Sequence, residues 1–174
     1  MDYKNHLKTG AMTGILLMSA AYSDIKVEPA ELVLYSAGIV VGSALPDIDH
    51  PNSYIAKKLS FLGAIISRVF SHRGFTHSVF FLALLEFIRR YGQQFFEGDS
   101  IGLFSYGMIG VIAASATHIF MDMFIGNGVK LFFPVIDKKI YISKIKSGSG
   151  AESIFIKVLT AVFCVALLYS EGHI

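Results

Sequence analysis

Two carboxylates in a short proline-flanked segment are the first residues that suggest chemistry. Asp47 and Asp49 stand two residues apart between Pro46 and Pro51. Proline on both sides disfavours helix, so the segment is predicted to be a fixed extended turn. Alternate residues of an extended chain point to the same side, which would suit the bridging of one or two divalent cations. The alternative is that the aspartates only cap a helix and start a turn.

A second cluster places two imidazoles and a guanidinium around a glycine. His72, Arg73 and His77 surround Gly74, just before an apolar stretch. Neutral imidazole is a common ligand of zinc and other transition metals. Arg73 can clamp a phosphate or a carboxylate through two hydrogen bonds. The alternative is a polar loop whose arginine rests on lipid headgroups.

The third cluster lies inside the longest apolar stretch. His118 and Asp122 are four residues apart, so both side chains occupy one face of a helix. Ionisable residues at membrane depth are costly and usually have a partner and a function. The pair is therefore predicted to bind metal. A structural His–Asp pair, or an aspartate that orients a histidine ligand from behind, are the alternatives.

Two further residues are weaker candidates. His6 lies one turn before the first apolar stretch, and Glu152 opens the last one. Ser149 as N-cap with Glu152 three residues later also fits a capping box, so a metal role and a capping role stay equally open. His173, in the C-terminal tail, is excluded as a ligand.

The elements that must carry these side chains are very apolar. Of the 174 residues, 53% are hydrophobic and 16% are charged, with a mean hydropathy of +0.58. Soluble domains average about 25% charged residues, which argues against an ordinary water-soluble globule. A soluble bundle of unusually apolar helices is the alternative. The formal net charge of +2 does not indicate nucleic-acid binding, and no such partner is expected.

Five apolar stretches predict short transmembrane helices: residues 9–22, 31–45, 77–88, 101–125 and 154–169. Only the fourth reaches the ~20 residues that cross a ~30 Å hydrocarbon core. The other four must extend into flanking polar residues or thin the bilayer locally. The first also resembles a signal peptide, but an uncleaved helix is favoured because later stretches already place the chain in the membrane.

Two other segments complete the predicted fold. Residues 59–70 are apolar with interspersed polar side chains, which favours an interfacial helix. Residues 129–142 are rich in β-branched and aromatic side chains and predict a small hairpin or an extended loop on the membrane surface. The expected fold is therefore an all-α membrane protein of about five short transmembrane helices, with an interfacial helix and an extended hairpin loop, in a single domain over residues 1–174.

The distribution of basic residues predicts the orientation. If the five helices alternate in direction, eleven lysine and arginine residues fall on one side and three on the other, with Lys157 inside the last helix. Basic loops stay in the cytoplasm, which places the N-terminus inside. The same side collects five of the six histidines, together with Asp47, Asp49, Asp122 and Glu152. The metal site is therefore predicted at the cytoplasmic face.

Taken together, the clusters resemble the YdjM-like inner-membrane proteins, which are described as LexA-regulated, metal-dependent hydrolases. The matching segments are residues 45–51, 72–78, 118–122 and 148–152. The resemblance implies a bacterial or archaeal inner-membrane location and a divalent-metal site. The positions that it implies as ligands are His6, Asp47, Asp49, His72, His77, His118, Asp122 and Glu152.

The expected function is hydrolysis of a phosphoester or lipid-like substrate by a metal-dependent enzyme at the cytoplasmic membrane face. A mixed His and carboxylate set suits zinc or manganese, and two or three ions are expected. Arg73 and Asp49 are the predicted catalytic residues, and Arg73, Lys57 and Lys58 would bind the anionic part of the substrate. The alternative is a non-enzymatic membrane protein with a structural or transported divalent metal.

Overall fold

Long helices packed side by side form most of the ordered structure. The computed structural model describes residues 1–22, 26–50, 53–58 and 74–170. Its helices are α1 (Tyr3–Tyr22), α2 (Pro29–Ala44), α3 (Tyr54–Lys58), α4 (Val79–Gly92), α5 (Asp99–Phe124) and α6 (Gly150–Ser170). Short 3₁₀ turns cover Leu45–Asp49, Phe75–His77 and Gln93–Phe95. These ranges contain no β-strand, so the prediction of an all-α fold is confirmed.

Glycines set the closest helix contact, between α2 and α5. A Cβ atom on Gly42 would collide with the backbone of Val111, and one on Gly110 with the backbone of Tyr35. Small residues allow two helix backbones to approach in this way inside a membrane. Gly42 and Gly110 therefore serve the close packing of α2 against α5. The contact also brings the C-terminal end of α2 against the middle of α5.

The core around this contact is small and lies between three helices. Tyr35 and Ile39 of α2 pack against Ala114 of α5. The Tyr35 hydroxyl donates a hydrogen bond of 2.9 Å to the carbonyl of Gly14 in α1. Apolar packing and buried hydrogen bonds such as this one hold α1, α2 and α5 together, and their shared end carries the polar residues described below.

Apolar side chains also cover the outside of the helices. On α6, Val158 is 57% exposed and Val162 is 59% exposed. An exposed apolar surface of this extent is typical of a surface that contacts lipid. Three described segments are long and apolar enough to cross a membrane, namely Pro29–Asp49, Asp99–Phe124 and Gly150–Tyr169. The protein is therefore an all-α membrane protein.

Three of the five predicted transmembrane helices correspond to these three segments. The helix α4 has 14 residues, which is about 21 Å at 1.5 Å per residue. The helix α1 is longer, with 20 residues, but Lys4 and Lys8 make its first turns polar. Membrane crossing by α1 and α4 stays a prediction.

The segment around Asp47 and Asp49 differs from its prediction. Leu45–Asp49 is a 3₁₀ helix that continues from α2, so the prediction of an extended turn is wrong. Pro46 occupies the start of this turn, where a helix needs no N–H donor and the fixed φ of proline is already suitable. The two carboxylates consequently point in different directions.

Of the two structures predicted for residues 129–142, the structure has the extended loop. Val129 and Ile140 form a single antiparallel bridge that closes it, with backbone hydrogen bonds of 3.0 and 2.8 Å. The next part of the chain returns to the end of α5, where Ile125 and Ile145 form a parallel bridge. The predicted interfacial helix, residues 59–70, lies outside the described residues.

Candidate metal centre

Four separate elements bring imidazoles and carboxylates to one end of the helix bundle. Asp47 and Asp49 come from the 3₁₀ turn after α2, and His77 ends the turn before α4. His118 and Asp122 lie one turn apart on α5, as predicted. The N-terminal helix α1 adds a further histidine, His6, whose ring stacks on that of His118. Residues distant in the sequence thus meet in one buried cluster.

The ligand atoms of four side chains all lie within 4.8 Å of one another: Asp47, His77, His118 and Asp122. The Nε2 atom of His77 is 3.6 Å from Asp47 Oδ1 and 3.6 Å from Asp122 Oδ2. The Nε2 atom of His118 is 3.6 Å from the same Asp47 oxygen and 4.0 Å from the same Asp122 oxygen. Two nitrogens and two oxygens thus alternate around a common centre.

This arrangement fits a divalent metal ion. Zinc takes nitrogen and oxygen ligands at about 2.0–2.2 Å in a tetrahedron, which places neighbouring ligand atoms roughly 3.4 Å apart. The four nitrogen–oxygen separations of 3.6 to 4.0 Å, in a set whose atoms all lie within 4.8 Å of one another, need to contract by a few tenths of an ångström or more to reach that value. The structure therefore contains a candidate divalent-metal site made of Asp47, His77, His118 and Asp122.

The ring of His118 is held in the orientation that a ligand needs. Its Nδ1–H donates a hydrogen bond of 2.8 Å to the carbonyl oxygen of Ser43, so the lone pair is on Nε2. Within the described part of the chain, Nε2 has no hydrogen-bond partner although it is buried. A buried polar atom without a partner is costly, and a metal ion would remove that cost.

A carboxylate and a hydroxyl hold the ring of His77 in a similar way. The hydroxyl of Thr76 donates a hydrogen bond of 2.7 Å to Asp49 Oδ2, and its oxygen lies 3.2 Å from His77 Nδ1. Asp49 Oδ2 is itself 3.6 Å from that nitrogen. Asp49 therefore lies behind His77, on the side away from the four ligand atoms. Carboxylates in this position orient histidine ligands and increase their basicity.

His6 lies next to the four-residue group and outside it. Its ring stacks on that of His118, with ring centroids 3.5 Å apart. Its Nε2 atom is 3.4 Å from Asp122 Oδ1, whereas the other oxygen of Asp122 faces His77 and His118. Asp122, a member of the group, thus presents one oxygen to His6 and the other to His77 and His118.

The cluster concentrates negative charge in a buried place. Burial lowers the pKa of His77, but its contacts with Asp47 and Asp49 outweigh burial and raise that pKa to about 9. For His6, burial and the charge of His118 lower the pKa to about 4, so its imidazole is neutral at pH 7. Three carboxylates favour a cation at the centre. Because only a neutral imidazole binds metal, a divalent ion held there would take the place of the second proton of His77.

Glu152 takes part in a different set of contacts. Its Oε1 accepts a hydrogen bond of 3.0 Å from the Asn5 amide, and its Oε2 accepts one of 2.6 Å from the backbone of Gly148. The backbone N–H of Glu152 donates to the Ser149 hydroxyl at 3.2 Å. These contacts link α1 to the start of α6 and support the capping interpretation. A metal role for Glu152 stays a prediction.

The remaining predicted site residues lie on exposed or undescribed parts of the chain. Lys57 and Lys58 are exposed at the end of α3, which packs against the Leu45–Asp49 turn. His72 and Arg73 lie outside the described residues, as does His173. The substrate-binding and catalytic roles assigned to these residues stay predictions.

Two contributors to the site were not predicted from the sequence. Thr76 stands beside His77 in the histidine-rich block, and its place next to a candidate ligand was the only available signal. The carbonyl of Ser43 carried no signal at all, because any residue supplies a carbonyl and only the contact between α2 and α5 brings this one to His118.

Comparison with known proteins agrees with the membrane fold. A family model described as YdjM inner membrane protein matches residues 1–173. The uncharacterized protein YvsG of Bacillus subtilis is 32% identical over 157 residues, which cover 90% of this chain and 91% of that protein. The inner membrane protein YdjM of Escherichia coli is 37% identical over 90 residues, which cover 52% of this chain and 44% of that protein.

No solved structure matches the chain, so the fold and the site rest on the contacts described above. The family match covers nearly the whole chain, and it includes every described element that contributes to the buried cluster. The chain therefore belongs to the family of YdjM inner membrane proteins.

Proposed function

We propose that this protein is a metal-dependent hydrolase that acts on a phosphoester or lipid-like substrate at the cytoplasmic face of the bacterial or archaeal inner membrane. The observation that carries the proposal is the buried set of two imidazoles and two carboxylates within 4.8 Å of one another. A set of this composition suits zinc, with manganese as the alternative.

The first ion is assigned to Asp47, His77, His118 and Asp122. A second ion is assigned to the far side of Asp122, where Oδ1 lies 3.4 Å from His6 Nε2. The ammonium group of Met1 is also 3.4 Å from this oxygen, which marks it as a favourable position for positive charge. When bound, such ions act as Lewis acids and activate water.

The side chains around the ions would position the substrate. The Asp47 side chain is 24% exposed, whereas those of His77 and His118 are fully buried, so the centre opens to solvent on the Asp47 side. Lys57 and Lys58 follow on the adjacent α3 and are assigned to the anionic part of the substrate, together with Arg73. Asp49 is assigned a positioning role, because Thr76 connects it to His77.

The orientation is proposed from the charges of the loops. Lys130, Lys138 and Lys139 are among the basic residues that alternating helices would place on the same side as the metal centre, and basic loops stay in the cytoplasm. Membrane lipids are the expected surroundings and a source of substrate, and no nucleic-acid partner is expected. A reporter fused to the C-terminus should report the periplasmic side; a cytoplasmic signal would contradict the five-span topology.

One observation favours a second candidate, a structural metal. Four protein ligands complete a tetrahedron, which is typical of structural zinc, whereas catalytic zinc keeps one position open. In that case the ion would join α2, α5 and the turn before α4 without any reaction. The two candidates differ in what the loaded protein does to an ester, and both require the same ligands.

The first test is elemental analysis of the purified full chain, followed by hydrolysis assays. Wild type and His118→Ala would be compared for bound metal and for turnover of bis(p-nitrophenyl) phosphate, p-nitrophenyl phosphate and phosphatidylglycerol. His50→Ala is the matched control, since His50 is a histidine near the cluster and outside the four-residue group. We expect wild type and His50→Ala to hold at least one metal per chain and to hydrolyse one phosphoester.

The outcomes separate the alternatives. Less than one metal per chain in wild type would overturn both candidates. If His118→Ala loses its metal but metal-loaded wild type hydrolyses none of the esters, the structural metal site would be the correct candidate and the hydrolase would be wrong. If His118→Ala hydrolyses the ester as wild type does, the cluster takes no part in the reaction.

A further inference from the structure

A second concave site lies just beyond the C-terminal end of α5. It encloses about 770 Å³, and its lining is polar and basic: Gly126, Asn127, Lys139, Tyr141, Lys144, Lys146 and Ser147. None of these residues belongs to the four-residue metal group. Among the described residues, its lining contains three lysines and no carboxylate, which is the composition of a site for an anion.

Backbone contacts hold the pocket in place on two sides. The C-terminal carbonyl groups of α5 accept hydrogen bonds from the returning chain: Ile142 N–H donates to Met123 at 2.7 Å, and Ile145 N–H to Phe124 at 3.3 Å. These bonds satisfy carbonyl groups that a helix end leaves without partners. They also place Lys144 and Lys146 against the end of the helix.

The other side of the pocket is held by the bridge between Val129 and Ile140. Gly128 has φ +73°, and a Cβ atom there would press against the backbone of Ile140. Only glycine adopts this conformation at little cost. The bridge fixes the backbone of Lys139 and Tyr141, the residues on either side of Ile140. Together with the hydrogen bonds to α5, it positions the backbone of all three lysines that line the pocket.

No described carboxylate neutralises the charges of these lysines. Within the described residues, no carboxylate lies within 4.0 Å of the ammonium groups of Lys139, Lys144 or Lys146. The neighbouring Lys130, by contrast, pairs with Asp137. Lys144 lies over the ring of Tyr141, with its nitrogen 4.6 Å from the centroid, which positions the charge without cancelling it.

Apolar side chains flank the pocket. Ile142 is 54% exposed and Tyr141 is 50% exposed, and on the same loop Val135 is 73% exposed and Ile136 is 50% exposed. Apolar side chains beside lysines are typical of segments that lie in the headgroup region of a membrane. The combination suits an anion whose remainder is apolar.

From this arrangement we propose that the pocket binds a phosphate-bearing anion, with the headgroup of an anionic phospholipid as the expected source. The three ammonium groups, the Tyr141 hydroxyl and the Asn127 amide supply donors to the phosphate oxygens. The flanking Ile142 contacts the acyl region. The proposal concerns binding alone and does not rest on the metal centre or on hydrolysis.

The test is a binding titration of the purified full chain in detergent, with three probes. Phosphatidylglycerol is the anionic lipid, phosphatidylcholine is the zwitterionic lipid, and glycerol 1-phosphate is the free phosphate ester. The variant combines Lys139→Ala, Lys144→Ala and Lys146→Ala. Each lysine near an anionic surface accounts for about a fivefold change in affinity, so we expect Kd for phosphatidylglycerol to increase roughly 100-fold.

The matched control removes the same charge elsewhere. Lys4→Ala, Lys8→Ala and Lys138→Ala together delete three exposed lysines that do not line the pocket, and Kd should stay within about twofold of wild type. A triple Lys→Arg variant at 139, 144 and 146 should keep tight binding. It also shows whether a loss in the alanine variant comes from charge or from misfolding.

The results distinguish the two sources of phosphate. Lysine-dependent binding of phosphatidylglycerol alone supports a lipid headgroup site. Lysine-dependent binding of glycerol 1-phosphate as well supports the same pocket with a free phosphate as ligand. Equal binding of phosphatidylglycerol and phosphatidylcholine by wild type, or equal loss in the control and pocket variants, would overturn the proposal.

Discussion

Asp122 of the metal centre and Gly126 of the lysine pocket are only four residues apart at the end of α5. The two regions differ in whether their charged groups are buried or exposed to solvent. In the centre, Asp122 and His118 are each 1% exposed, and the Asp122 carboxylate contacts other buried groups. In the pocket, Lys144 and Lys146 are exposed and their charges face solvent. The side chains of the metal centre are held in place by burial between helices, whereas the lysines of the pocket are positioned by backbone hydrogen bonds of the loop.

This difference decides how each region responds to substitution. When a buried charged group loses its partner, the free-energy cost of removing it from water is no longer offset. An exposed lysine that is removed leaves nothing unsatisfied, because water hydrates what remains. Changes in the centre should therefore affect stability and metal together, whereas changes in the pocket should affect ligand binding alone.

The largest expected effect follows from His118→Ala. The substitution leaves Asp47 and Asp122 facing each other with one imidazole fewer between them, so bound metal should fall below about a tenth of the wild-type content. Breaking a buried set of this kind costs about 3–5 kcal/mol. Elemental analysis and thermal unfolding check both effects, and a variant with unchanged metal content would refute the assignment of the centre.

Removal of the metal should have the next largest effect. An ion present at a thousand times its Kd stabilises the folded chain by about 4 kcal/mol, which corresponds to roughly 10 °C in Tm for a chain of this length. Thermal unfolding by circular dichroism, before and after a chelator and again after zinc is restored, measures it. Identical curves in all three samples would show that no ion contributes to the fold.

A smaller effect is expected at Thr76, which supports the centre from behind. Thr76→Val removes the hydroxyl that contacts Asp49 and His77, so metal affinity should fall by about tenfold. Thr76→Ser keeps the hydroxyl and should bind metal like wild type. Competition with a chelator of known affinity gives the comparison, and equal loss in both variants would point to packing rather than to the hydrogen bonds.

The smallest effect on stability is expected in the pocket. The combined Lys139→Ala, Lys144→Ala and Lys146→Ala variant should keep its metal and unfold within about 2 °C of wild type, since exposed charges contribute little to stability. The same samples serve for elemental analysis and thermal unfolding. Loss of metal in this variant would show that the two regions are one functional unit.

Much of the fold could be predicted because its signals are local. Apolar stretches indicated the helices, and the spacing of His118 and Asp122 placed both on one face of α5. Small residues are typical of close contacts between membrane helices, and Gly42 and Gly110 lie at the contact between α2 and α5. The turn at Asp47 and Asp49 was predicted wrongly, because proline is compatible with both an extended segment and the first residue of a 3₁₀ turn.

By itself, the sequence determined an apolar, helical membrane protein with histidines and aspartates near several helix ends, because composition and spacing act within a few residues. Only the tertiary structure decided that His77 and His118 face Asp47 and Asp122 while Asp49 lies behind His77. It also brought three lysines around one pocket. Such choices depend on the approach of α2 to α5 and on the return of the loop to α5, and no local pattern encodes distances between elements far apart in the chain.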